Sequence, residues 1–287
     1  MITALKLKAS GAAAIFVPGF LIVHAFGVSR AMTACVHVER PALVEVLPGS
    51  FSYRMAGAFD EAGRSVEAPL IRYRLDGVLD VMRHQVTIAE YKKCAAAGAC
   101  QKLAADADRS SDFPAVQVSW QDASDYAAWL SANTGEVYRL PTDEEWAYAA
   151  GSRFRDDGLG QANNPSDPAK GWLARYDQES EQQGWSDSRP RPVGSFGANE
   201  HGLLDLSGNV WEWTNTCFVR ESLSQAGRRA TVSMANCGVR VVEGEHRTYV
   251  PNFIRDARAG GCSVGKPPSN LGFRLIRERG ETLRRLG

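Results

Sequence analysis

The sequence predicts an α+β fold that forms a single domain with little regular secondary structure. Three short helices carry clear start signals, whereas the strands between them are short and bounded by turns. The 27 glycines, the seven tryptophans and the absence of long heptads are not typical of a helical bundle. Lys+Arg and Asp+Glu number 33 each and no basic run stands out, so we expect no nucleic-acid partner.

Residues 1–31 have the features of a secretory signal peptide. Lys6 and Lys8 precede an apolar run from Ala9 to Val28, and Ser29-Arg30-Ala31 places small residues where a signal peptidase cleaves. An uncleaved membrane anchor is one alternative, because the run approaches membrane-spanning length. A lipoprotein is another, because Met32-Thr-Ala-Cys35 loosely resembles a lipobox. We therefore predict a periplasmic or secreted protein that contacts a membrane only through this segment.

The regular elements follow from local signals. Residues 32–74 form a β-rich N-terminal segment, and residues 78–86 have the pattern of a strand. Each helix start carries a capping box, in which a hydroxyl residue precedes an acidic residue by three positions. The boxes are Thr87 with Glu90, Ser119 with Asp122 and Thr142 with Glu145, and they predict helices over 87–97, 119–132 and 143–150. Residues 152–192 are a polar excursion, which in compact domains is functional or disordered.

Six cysteines suit an exported chain with disulfide bonds. Cys94 and Cys100 enclose five small residues, so we predict that they are bridged to each other. The pairing of the other four stays open; they are Cys35, Cys217, Cys237 and Cys262. A zinc site is not indicated, because no histidine lies near the first pair.

Four motifs occur in a fixed order along the chain. They are Val118-Ser-Trp-Gln-Asp-Ala-Ser-Asp-Tyr-Ala-Ala-Trp129, Arg139-Leu-Pro-Thr-Asp-Glu-Glu-Trp146, Gly208-Asn-Val-Trp-Glu-Trp213 and Asn270-Leu-Gly-Phe-Arg274. Together they resemble the formylglycine-generating enzyme, or sulfatase-modifying factor, superfamily, including its pyoverdine-maturation and nitrite-reductase-accessory branch. The resemblance implies one domain over residues 75–287, with a topology related to C-type lectins.

The same resemblance implies a calcium site around the Gly208 turn. The matching ligands are Asp205 and Glu212 through their carboxylates, and Gly208 and Val210 through their carbonyl groups. Oxygen ligands of this kind suit a hard cation. The alternative is a hydrogen-bonded turn whose tryptophans fill the core.

The family's catalytic segment is where this sequence departs from the pattern. Family members bind copper through two cysteine thiolates there and oxidise a substrate cysteine. Residues 240–258 contain no cysteine, and an ungapped alignment places the two positions at Glu245 and Val250. Because soft Cu(I) prefers thiolates, we expect no formylglycine formation.

Other polar residues occupy that segment and are the catalytic candidates: Glu245, His246, Arg247 and Tyr249, with Glu243 beside them. His246, with His201 as a second ligand, suggests a non-haem iron or copper site. Alternatively, His246 only forms hydrogen bonds in a polar groove. The arginines at 247, 255 and 258 suggest instead an anionic ligand or a peptide carboxylate.

The sequence thus supports two functions. The first is an oxidative maturation enzyme of the periplasm that does not make formylglycine. The alternative is a non-catalytic periplasmic binding or accessory module, for example for maturation of a metalloenzyme such as copper nitrite reductase. The partner is a protein, a peptide or a small-molecule substrate.

Overall fold

Three α-helices and twelve strands make up the part of the chain described by this computed structural model. The described residues are 38–103, 110–155, 189–224, 230–256 and 270–279. The chain divides into two units, Met1–Val36 and His37–Gly287, and all of the described residues belong to the second unit. The predicted signal peptide, Cys35, Arg258 and Cys262 lie outside the described residues, as does most of the polar excursion. Within the described residues, no helix is long and apolar enough to cross a membrane.

The three helices begin where the capping boxes predict. They are α1 (Ile88–Ala96), α2 (Trp120–Thr134) and α3 (Asp143–Ala150), and a 3-10 turn (Gly151–Arg153) follows α3. In each helix the N-cap hydroxyl accepts the N3 amide, and the N3 carboxylate accepts the N-cap amide. Helix α2 extends two residues past its predicted end, because Gly135 is the residue that adopts the left-handed C-cap, at φ 74°.

The strands form two sheets and a separate pair. The strands are β1 (Leu43–Val46), β2 (Gly49–Arg54), β3 (Ala58–Glu61), β4 (Arg64–Val66), β5 (Leu70–Leu75), β6 (Leu79–Met82), β7 (Val137–Arg139), β8 (Trp211–Leu223), β9 (Ala230–Glu243), β10 (Thr248–Pro251), β11 (Leu271–Gly272) and β12 (Ile276–Glu278). One sheet has the order β1-β6-β12-β7, and the other has β10-β9-β8-β3-β4 with β11 beside β8. Strands β2 and β5 pair with each other. The predicted α+β class is confirmed, although β8 and β9 are longer than the short strands that the sequence predicts.

The strand predicted over 78–86 is shorter in the structure, since β6 ends at Met82. Beyond it the backbone forms single hydrogen bonds with four separate segments, at Ala42, Ala115, Leu204 and Phe273. The Val86 amide donates to the Phe273 carbonyl at 2.9 Å, and the Val86 carbonyl accepts from Ala115 at 2.8 Å. These bonds tie the chain to the C-terminal motif without forming a ladder.

Two hydrophobic clusters hold the sheets and helices together. One contains residues of α1, α2 and β8, and the other packs α3 against β1, β6 and β12. Trp146 of α3 and Trp213 of β8 are 2% and 0% exposed. Leu271 and Phe273 of the C-terminal motif are also buried, as their packing role predicts.

Candidate functional site

The turn between β9 and β10 carries the predicted catalytic candidates, and the structure places them in different surroundings. Glu245 is exposed at the turn. The ring of His246 meets Trp211 edge to face at 5.7 Å, and its Nδ1 lies 2.9 Å from the Arg247 carbonyl oxygen. The Tyr249 hydroxyl accepts a hydrogen bond from the amide of Gly57 at 2.7 Å. Arg247 alone among the four candidates points into a buried acidic cluster.

Two acids, Asp143 and Glu243, lie at the centre of that cluster, and we call them the buried acid pair. Arg247 and Tyr53 complete the cluster. Arg247 donates from Nε to Glu243 Oε1 at 2.8 Å, and its Nη2 lies 3.1 Å from Asp143 Oδ2. The Tyr53 hydroxyl donates to the same Asp143 oxygen. The side chains of the two acids and the arginine are at most 2% exposed. Helix α3, strand β9 and strand β2 therefore meet at one buried polar site.

The buried acid pair places two carboxyl groups beside the single guanidinium of Arg247. Burial raises the pKa of Glu243 well above its usual range, the nearby Asp143 carboxylate adds to the rise, and Arg247 opposes it. Asp143 Oδ1 is buried without a hydrogen-bond donor among the described groups. The raised pKa favours the protonated form of Glu243, whose carboxyl group carries an O–H donor. Because all four side chains are buried, the cluster offers no surface to a substrate.

The turn predicted to hold calcium is strongly bent. Asp205, Ser207 and Asn209 all adopt positive φ, between 56° and 64°. The Asp205 carboxylate accepts hydrogen bonds from the amides of Gly194 and Phe196, the latter at 2.8 Å. The Gly208 carbonyl accepts from the Val210 amide at 2.8 Å. Protein donors thus engage two of the four predicted ligand groups.

A third predicted ligand, Glu212, is fully engaged as well. Its Oε1 accepts from Gln85 Nε2 at 2.8 Å and Arg274 Nη2 at 2.7 Å. Its Oε2 accepts from Trp146 Nε1 at 2.9 Å and Arg274 Nε at 2.6 Å. Both partners of this bidentate salt bridge are 1% exposed in their side chains. Four donors fill the lone pairs of the carboxylate, so the residues present do not fit the calcium site that the resemblance implies.

His201 and His246, the predicted redox-metal ligands, pack on different aromatic rings. The His201 ring stacks on Tyr148 at 6.4 Å, whereas His246 packs on Trp211. Among the described residues, no group of three or more His, Cys, Asp or Glu side chains is arranged to hold a metal ion. Arg255, predicted to bind an anion, has an internal partner in Asp122, at 2.5 Å from its Nη2.

Two disulfide bonds lie within the described chain. Cys94 and Cys100 are bridged, which confirms the prediction from their short loop. Cys217 of β8 is bridged to Cys237 of β9, a pairing that the sequence left open.

Sequence reasoning missed three residues that the structure brings into buried polar clusters. Tyr53 and Asp143 are 90 residues apart in the chain, and Arg274 is 62 residues from Glu212. At such separations no local pattern marks the pairs, so only the tertiary structure reveals them.

Comparison with known proteins identifies sequence relatives of this chain. The chain is 41% identical over 116 residues to the formylglycine-generating enzyme of Mycobacterium tuberculosis, covering 39% of this chain and 36% of that protein. It is 29% identical over 174 residues to the inactive C-alpha-formylglycine-generating enzyme 2 of Mus musculus, covering 59% and 50%. The chain thus spans half or less of the length of these two curated relatives.

Structural and family comparisons agree with these matches. The solved structure of PvdO from Pseudomonas aeruginosa is similar with a TM-score of 0.50 and 26% sequence identity, covering 83% of this chain and 95% of PvdO. The family model described as the sulfatase-modifying factor enzyme 1-like domain matches residues 29–279. The chain therefore belongs to the sulfatase-modifying factor enzyme 1-like family.

Proposed function

We propose that this chain is an exported oxidative maturation enzyme that acts without the two-cysteine copper site and does not make formylglycine. The observation that carries the proposal is the state of the two positions aligned with the copper cysteines. Glu245 is exposed at a turn, whereas Val250 lies in β10 with 0% exposure. Neither side chain supplies a thiolate, and the two are in different environments.

Export is supported by the cysteines. Four of the six form disulfide bonds within the described chain, and such bonds form and persist in oxidising compartments. The basic and apolar N-terminal sequence points the same way. N-terminal sequencing of the exported protein tests this point, with a mature start after Ala31 as the expected result. A start at a lipid-modified Cys35, or an intact Met1 in the cytoplasm, would rule out the predicted cleavage.

The second candidate is a non-catalytic binding or accessory module. It is favoured by the buried acid pair, whose groups are bonded to one another in the segment where the family has its active site. Arg255 is likewise paired with Asp122. One of the family relatives is itself named as inactive. On this alternative the lectin-like fold serves as a scaffold for a protein or peptide partner.

Two measurements test these functions. The purified chain and the Mycobacterium tuberculosis enzyme, as a positive control, are incubated with oxygen and a sulfatase peptide that contains the target cysteine. We expect aldehyde from the control only; aldehyde formation by this chain would overturn the first part of the proposal. Metal analysis then separates the two candidates. Close to one equivalent of redox metal supports the oxidative enzyme, and protein purified without redox metal supports the accessory module.

A further inference from the structure

The two disulfide bonds differ in their access to solvent. Cys94 and Cys100 are 0% and 7% exposed and lie in the larger hydrophobic cluster. Cys217 is half-buried and Cys237 is exposed. The register of the β8–β9 ladder shifts on both sides of Cys217, so the second disulfide lies where the ladder is irregular. A thiol in solution can therefore reach Cys237, whereas the first pair is shielded.

A cation faces the half-buried sulfur of the second disulfide. Arg240 donates from Nη1 to Cys217 Sγ at 3.3 Å and to the Asn215 carbonyl at 2.7 Å. Its guanidinium lies 3.9 Å from the ring centroid of Trp120, which holds it in place. No carboxylate of the described residues pairs with Arg240, and burial lowers its pKa. The oxidised protein thus keeps a partly desolvated positive charge beside a neutral sulfur.

We propose that Cys217–Cys237 is a thiol–disulfide exchange site for cysteine thiols of a partner polypeptide. A partner thiolate attacks Sγ of Cys237 and forms a new S–S bond, while the Cys217–Cys237 bond breaks. The electron pair of that bond stays on Cys217, whose thiolate lies against Arg240. A second partner thiol then displaces Cys237 from the mixed disulfide, so two electrons pass from the partner dithiol to this protein and the partner becomes a disulfide.

The positive charge of Arg240 sets the direction in which the redox equilibrium of the disulfide is shifted. In the oxidised protein Arg240 has no anionic partner among the described residues, and reduction creates one at Cys217. A neighbouring cation stabilises the thiolate and makes it a better leaving group. Stabilising the reduced form makes the disulfide more oxidising, as is typical of exchange-active pairs.

The surface beside Cys237 suits a polypeptide partner. Asn252 donates through its backbone amide to the Gly238 carbonyl at 2.9 Å and through its side chain to the Cys237 carbonyl at 3.4 Å. The next residue, Phe253, is 72% exposed. Phe253 thus offers a partner polypeptide an apolar contact next to the residue that bonds the Cys237 carbonyl.

A glutathione titration of the full-length oxidised protein tests the proposal. After equilibration at a series of reduced-to-oxidised ratios, free thiols are alkylated and both disulfides are followed by peptide mapping. We expect Cys217–Cys237 to open while Cys94–Cys100 stays closed, with trapped glutathione on Cys237. Arg240→Gln should lower the equilibrium constant for reduction about tenfold, a shift of ~30 mV. Arg240→Lys retains the charge and should lose less, and Arg220→Gln, at an exposed arginine of β8, should match the parent.

Three results would overturn the proposal. One is that both disulfides open together in the parent protein. Another is that glutathione is trapped on Cys217. The third is that Arg240→Gln titrates like Arg220→Gln, with circular dichroism showing both variants folded. The first two readouts use the parent protein alone, so they test the proposed exchange site even when a variant does not fold. None of them requires the proposed maturation partner.

Discussion

Replacing Glu212 with glutamine separates two roles that this residue could have in the family's motif. As a calcium ligand, it should matter only when calcium is present. As the counter-ion of Arg274, it should matter at all times, because the pair is 1% exposed and bidentate, with N–O distances of 2.6 and 2.7 Å. Glutamine keeps the shape of the side chain but removes its charge.

The expected cost follows from the four donors around the carboxylate. Glu212→Gln leaves the Arg274 guanidinium buried without a negative charge, and removing one partner of a buried pair costs about 3 to 5 kcal/mol. The new amide also turns its own N–H groups toward Gln85, Trp146 or Arg274, all of which donate. For a domain of this size, about 2 to 4 °C of melting temperature is lost per kcal/mol. We therefore expect the melting temperature to fall by roughly 6 to 20 °C.

Thermal and urea unfolding in a calcium chelator, and again with excess calcium, measure this effect. Glu39→Gln, at an exposed position, is the control for loss of one negative charge. We expect Glu212→Gln to be destabilised equally in both buffers. A calcium-ligand role predicts a different pattern: the parent would gain about 2.7 kcal/mol at a hundredfold excess over Kd. If the parent shows that gain, and the variant matches the parent in chelator, the counter-ion reasoning is wrong.

Three further variants test other features of the fold. Because the pKa of Glu243 is raised in the folded chain, stability should fall as pH rises from the unfolded pKa of this group through its folded pKa. Glu243→Gln should remove this part of the pH dependence in urea unfolding between pH 5 and 8, and a parallel pH profile for the variant would contradict the raised pKa. Replacing both Cys94 and Cys100 with alanine should cost about 2 kcal/mol of unfolding free energy by chemical denaturation, given the short loop. Gly57→Ala should cost about 1 to 3 kcal/mol in the same assay, because φ is 134° and a backbone oxygen of β8 would lie 2.6 Å from the new Cβ; unchanged stability would show that the strand yields.

Local chemistry explains what could be predicted from the sequence. A capping box is formed by residues three positions apart, so the starts of all three helices could be identified before any tertiary contact was known. The Cys94–Cys100 bridge is local for the same reason. The strand at 78–86 was predicted too long, because its second half bonds to Phe273 and Ala115, and periodicity carries no information about such distant partners.

The buried acid pair could not be predicted, for a related reason. Asp143 looked like an ordinary acid in the first turn of a helix, where the helix dipole favours it. Its partners come from β2, 90 residues earlier, and from the turn after β9. Sequence proximity instead grouped Glu245, His246, Arg247 and Tyr249 as one site, although alternate residues of a turn and strand face different environments.

The two buried glutamates, Glu212 and Glu243, explain the positions of Arg274 and Arg247. Glu212 and Glu243 are directly opposite each other in the β8–β9 ladder, where two charged carboxylates would destabilise the sheet. Each contacts a guanidinium from a different element: Glu212 that of Arg274 from the C-terminal motif, and Glu243 that of Arg247 from the turn before β10. The raised pKa of Glu243 further limits the repulsion between the two glutamates. The Asn270-Leu-Gly-Phe-Arg274 motif therefore has a role besides packing, because Arg274 supplies the positive charge opposite the buried Glu212 carboxylate of β8. In this chain the segment aligned with the family's catalytic cysteines supplies the Arg247 guanidinium, which stabilises the sheet. The proposed thiol–disulfide exchange site lies on β9, at Cys237.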